Sequence, residues 1–115
     1  MNLIRGDQNS IAYGDKNSIG GDGNILYGVS NQIIGNLNGV QGNSNGIDNG
    51  SRNVVFGQGN LIVKGDSNLI TGDGNNVRGN ENKVSQNDNA VKGNLNTVVG
   101  LRNYILGELN KVSGN

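Results

Sequence analysis

The chain has 115 residues, enough for one domain, with nine basic and nine acidic side chains and no net charge, so its electrostatics point to neither nucleic acid nor an anionic membrane surface. Cys and His are both absent, which excludes disulfides and thiolate metal sites and removes the commonest general base and metal ligand. No apolar run approaches the roughly 18 residues that a bilayer-spanning helix needs, and the start, MNLIRGDQNS, lacks the basic segment and apolar block of a secretory signal.

From the first residues onward the chain is one repeat. An Asn recurs about every seven residues: Asn2, Asn9, Asn17, Asn24, Asn31, Asn38, Asn45, Asn53, Asn60, Asn68, Asn75, Asn82, Asn89, Asn96, Asn103 and Asn110. Two places after each comes an aliphatic residue: Ile4, Ile11, Ile19, Leu26, Ile33, Val40, Ile47, Val55, Ile62, Ile70, Val77, Val84, Val91, Val98, Ile105 and Val112. A Gly usually follows, and the clearest stretch runs from Asn75 to Gly114. A chain that is all repeat reads as a solenoid or fibre, here a single domain over residues 1–115. Disorder is disfavoured, because a disordered chain has no reason to hold aliphatic residues at one phase.

Two periodic structures compete. A coiled coil needs two apolar positions per heptad and good helix formers between them. This chain has one reliable apolar position, and a Gly in nearly every repeat costs a helix about 1 kcal/mol each time. Strands fit instead. Asn and the aliphatic residue are two apart and point to one side, and the residues between them point to the other. Most of the inward residues are β-branched, which suits a pleated strand. Gly and the residues after it turn the corner, and the absence of Pro leaves every backbone N–H free to pair with a neighbouring coil.

Three repeats carry an eighth residue, Tyr13, Asn49 and Lys64, always between the inward aliphatic residue and the next Gly or its equivalent. That phase predicts bulges at corners. Two strands per coil would give about eight coils of fourteen residues, and three would give about five of twenty-one. The two-strand form places Asn49 and Lys64 at the same corner of adjacent coils, which favours it. The expected fold is therefore an all-β parallel β-solenoid, a β-roll about 38 Å long at ~4.8 Å per coil.

The predicted core is Ile33, Val40, Val55, Ile62, Ile70, Val77, Val84, Val91, Val98 and Ile105. Two aliphatic side chains per coil are too few to offset the entropy of ordering it, so hydrogen bonds between coils must contribute. Buried Asn needs partners, and stacked Asn can supply them to one another. This predicts an asparagine ladder of Asn31, Asn38, Asn53, Asn60, Asn68, Asn75, Asn82, Asn89, Asn96 and Asn103.

The flattened fourteen-residue coil with Gly-marked corners and inward Val or Ile, as in Val91-Lys92-Gly93 and Val98-Val99-Gly100, resembles the head repeats of trimeric autotransporter adhesins. That family has mostly Ala and Ser where this chain has Asn. The resemblance implies a left-handed roll, a trimer, an adhesive function and a cell-surface location.

Read from the residues, the outward positions of the even repeats, Ile25, Tyr27, Val54, Phe56, Leu69 and Val99, form the candidate surface for self-association. The expected function is a self-assembling structural element, forming an oligomer or an end-to-end filament, with an adhesin-like binding module as the alternative. Catalytic, cofactor and metal residues are expected to be absent. Glu81 and Glu108 are isolated, and Asp15, Asp22, Asp66 and Asp73 read as turn residues rather than a calcium array. Asn9-Ser10-Ile11, Asn17-Ser18-Ile19, Asn43-Ser44-Asn45 and Asn68-Leu69-Ile70 do not fit the glycan-acceptor pattern. Ice binding calls for regular ranks of small hydroxyl residues. With only Thr71 and Thr97 as threonines, and faces that mix Lys, Arg, Tyr and Gly, it stands behind the other readings.

Overall fold

A computed structural model describes residues 1–115. Each repeat forms one short strand: β1 (Leu3–Arg5), β2 (Ser10–Tyr13), β3 (Ser18–Gly20), β4 (Ile25–Tyr27), β5 (Gln32–Ile34), β6 (Gly39–Gln41), β7 (Gly46–Asp48), β8 (Val54–Phe56), β9 (Leu61–Val63), β10 (Leu69–Thr71), β11 (Asn76–Arg78), β12 (Lys83–Ser85), β13 (Ala90–Lys92), β14 (Thr97–Val99), β15 (Tyr104–Leu106) and β16 (Lys111–Ser113). The odd strands stack into one eight-stranded parallel sheet and the even strands into a second. The fold is thus an all-β solenoid of about eight two-sided coils, 39 Å long and 19 by 14 Å in section.

The strand centres meet between the sheets. Thirteen aliphatic residues, from Ile19 and Leu26 to Val98 and Ile105, form a single buried column. All ten residues of the predicted core belong to it. Ile11 and Val112 are only partly covered, and Ile4 is 46% exposed, because each end coil has a neighbour on one side only.

The ladder asparagines lie in the same interior. Twelve of them, Asn17 through Asn96, are buried, whereas Asn103 in the last coil is half-buried. Each amide binds three coils together. At Asn53 the backbone N–H donates to Asn38 Oδ1 at 3.0 Å, Nδ2 donates to the same oxygen at 3.1 Å, and Nδ2 also donates forward to the Gly65 carbonyl at 2.8 Å. The Oδ1 of Asn53 then accepts from Asn68 in the same way. No buried side-chain N or O lacks a partner.

Corner chemistry follows from this stacking. Gly57 has φ of 137°, and a Cβ there would overlap the Gly72 carbonyl oxygen of the next coil. Only Gly meets both conditions. Gln86 replaces Gly at one corner with φ of 74°, and its carbonyl still accepts from Asn75 Nδ2 at 2.8 Å. The corner Asp and Asn residues have a second use. Asp66 Oδ1 accepts the Ser51 N–H at 2.7 Å, and Asn80 Oδ1 accepts the Asp66 N–H at 2.8 Å. An exposed ladder therefore runs up the corner outside the buried one.

Asn49 and Lys64 occupy the same corner of adjacent coils, at φ of 53° and 50°. The first insertion differs from the sequence expectation. Tyr13 is not the extra corner residue: it pairs in register with Tyr27, and the bulge falls within β2 between Ile11 and Tyr13, so Ala12 is expelled. The reason is aromatic packing. The Tyr13 and Tyr27 rings stack with centroids 5.6 Å apart, and small Ala12 is the cheaper residue to displace.

Val84→Asp places an unpaired carboxylate in the buried column and abolishes the cooperative urea transition, whereas Lys83→Asp, on the exposed side of the same strand, moves it by less than about 0.5 kcal/mol. Asn68→Ala leaves the Asn82 N–H, the Gly79 carbonyl and Asn53 Oδ1 short of partners. Urea unfolding will show a loss of about 3 kcal/mol or more. At the exposed corner, Asn43→Ala will cost about 1 kcal/mol.

Candidate functional site

With both central stacks buried, only the first and third residue of each strand and the corners face solvent. Parallel pairing in register turns these outward positions into ranks. Neighbours within a rank are ~4.8 Å apart, and the two ranks of one sheet are ~6.6 Å apart. Any molecule that recognises the protein broadside meets this rectangular grid.

The two faces differ in chemistry. The odd sheet carries Arg5, Asp48, Arg78 and Lys92 along its third-residue rank, with Gln32, Asn76 and Tyr104 in the other. The even sheet has no carboxylate at any outward strand position. Its first-residue rank is Ser10, Ile25, Gly39, Val54, Leu69, Lys83, Thr97 and Lys111. Its third-residue rank is Tyr13, Tyr27, Gln41, Phe56, Thr71, Ser85, Val99 and Ser113.

The six residues read from sequence as an interface all lie on this even face. Ile25 is 62% exposed, Tyr27 50%, Phe56 45% and Val54, Leu69 and Val99 37% each. They do not form one isolated patch. Large apolar side chains dominate the first half of the face, interrupted by Gly39 and Gln41, and the small hydroxyls of Thr71, Ser85, Thr97 and Ser113 lie in the second half, interspersed with Lys83, Val99 and Lys111. Serines are what the threonine count overlooked: Ser85 and Ser113 stand in register with Val99 between them. The signal was present, since all of them lie at the outward phase of even repeats.

Such a face offers no acid–base or nucleophilic pair. It offers a long, rigid surface whose only charges are Lys83 and Lys111. A separate surface feature sits at the corner bulge. Asn49-Gly50-Ser51 fits the glycan-acceptor pattern that the four tripeptides above fail, and Asn49 is exposed.

No curated protein sequence matches the chain. Residues 34–115 match the model of a family described as a grass antifreeze beta roll. This finding overturns the expected structural role: a self-assembling scaffold is not what the matched family is, and the adhesin-like alternative falls with it. The expected β-roll stands, and the matched family is not that of the adhesin heads. The match covers most of the chain, so the chain belongs to the grass antifreeze beta-roll family.

Proposed function

We propose that this protein binds ice, and that the even sheet is the surface that meets the crystal. The observation that carries this reading is the contrast between the faces: the even sheet is free of carboxylates and combines apolar and hydroxyl ranks on a fixed grid, in a chain whose family is an antifreeze roll. Its physics differs from that of a ligand pocket. Each coil contributes little, and affinity comes from many weak contacts made at once. Those contacts add up only if the surface is already ordered, so that little conformational entropy is lost on binding. The ladders provide that order before ice is met.

Water held at the hydroxyls of Thr71, Ser85, Thr97 and Ser113 and over the methyls of Val54 and Val99 can join the lattice without breaking hydrogen bonds to a carboxylate or guanidinium group, and the two charges on this face, Lys83 and Lys111, sit on flexible side chains in the last coils of the first-residue rank. Carboxylates and guanidinium groups hold their water in geometries foreign to ice, which disfavours the odd sheet. In this reading, Ile25, Tyr27, Val54, Phe56, Leu69 and Val99 belong to the ice contact rather than to contact with a second copy. This reading requires neither assembly nor covalent chemistry.

A paired substitution tests the assignment. Thr71→Arg, exposed near the middle of the even face, introduces a bulky charge that lifts several coils off a flat plane. Inhibition of ice recrystallisation is expected to fall by roughly tenfold, corresponding to a loss of about 1.4 kcal/mol of adsorption energy. Asn76→Arg, exposed on the odd face of the next coil, is expected to leave activity unchanged. Circular dichroism checks that both variants stay folded. Equal activity of the two variants would refute the even-face assignment.

A further inference from the structure

The odd face carries a site that ice binding does not use. Between Asn76 and Tyr104 the first-residue rank holds only Ala90. The small side chain opens a shallow trough lined by Asn76, Arg78, Ala90, Lys92 and Tyr104. Its length along the solenoid axis is two coil spacings, or ~9.6 Å, about the width of one sugar ring with its substituents.

Charge on one side of this trough is uncompensated. Arg78 and Lys92 are direct register partners on adjacent strands, an arrangement of like charges that is unfavourable in a sheet. Neither has an ionic partner, because the only ion pair in the protein joins the amino terminus to Asp15. The nearest carboxylate on the same rank, Asp48, is two coils beyond Arg78, with Val63 between them. The other side of the trough offers an aromatic ring and an amide. Tyr104 is 73% exposed, and Asn76 is exposed beside the gap.

We propose that this trough binds an acidic glycan, a pyranose chain bearing carboxylates. The planar fork of Arg78 matches a carboxylate bidentately, and Lys92 adds a point charge one coil away. Tyr104 supplies a face for the C–H bonds of a sugar ring and a hydroxyl at its edge. Asn76 has both a donor and an acceptor for neighbouring sugar hydroxyls. The trough is open rather than enclosed, so a polymer can run through it without threading. It lies on the opposite sheet from the proposed ice contact, so one molecule can hold a glycan with one face while the other stays free. The proposal does not depend on the ice reading.

The test is titration of the intact chain with oligogalacturonate at low and at physiological salt, followed by NMR or calorimetry. Saturable binding with shifts at Ala90, Lys92 and Tyr104 is expected, weakening as salt screens the two cations. The variant carrying both Arg78→Gln and Lys92→Gln is expected to lose about tenfold or more in affinity, and Tyr104→Ala about threefold or more. All three residues are exposed, and circular dichroism verifies that the variants fold. Ice recrystallisation inhibition, read in parallel, stays at the wild-type level. Absence of binding, binding that survives the double substitution, or equal affinity for polyglutamate would overturn the proposal, the last because it would show charge attraction without recognition of a sugar. If the ice activity of the unmodified chain is absent while oligogalacturonate binds, the ice reading fails and this one stands.

Discussion

The structure depends on how a coil with almost no core keeps its buried amides satisfied. A strand of three residues contributes one inward aliphatic side chain, and the space beside it is filled by Asn. From Asn24 to Asn96 each Asn carbonyl oxygen accepts twice from the coil after it, and each amide nitrogen donates to the coil on either side, as at Asn53. An unpaired amide in that position would cost more than the neighbouring Val or Ile returns. The repeat therefore cannot drift: an Asn displaced by one residue would strand several polar groups at once. This is why the chain tolerates eighth residues only as local bulges, with the phase recovered by the next Asn.

The surface grid is a consequence of that constraint. Because every coil is locked to its neighbours at the same atoms, outward residues fourteen or fifteen apart stand in straight ranks. The scaffold is indifferent to what these residues are, so the two faces are free to diverge. One lacks carboxylates and carries apolar and hydroxyl side chains, and the other is charged and contains a gap at Ala90. A thin solenoid has little interior in which to build a pocket, and its chemistry has to be written on flat ranks.

How much was legible from the sequence follows the same division. The inward positions repeat every seven residues, so strand, corner, core and ladder could be read from Val84 or Asn82 without any neighbour. The two-sided coil was legible only through Asn49 and Lys64, whose shared corner is a relation between adjacent coils. Outward relations were harder. Tyr13 looks like the inserted residue until its stacking on Tyr27 shows that Ala12 is the one expelled. Ser85 and Ser113 look unremarkable until they are aligned with Thr71 and Val99. The trough at Ala90 requires knowing that residues 76, 90 and 104 are neighbours. The expected structural role rested on Ile25, Tyr27, Val54, Phe56, Leu69 and Val99 read as a face for self-association, with the serines of the same ranks left uncounted, and the family match overturned it.

The proposed function rests on adsorption of this regular face to ice. It is tested most directly by growing a single ice crystal from a dilute solution of the fluorescently labelled chain and imaging where the label goes. Uptake into the ice on defined crystal planes is expected, with the rest of the crystal dark. A label excluded from the growing ice like an ordinary solute would contradict it.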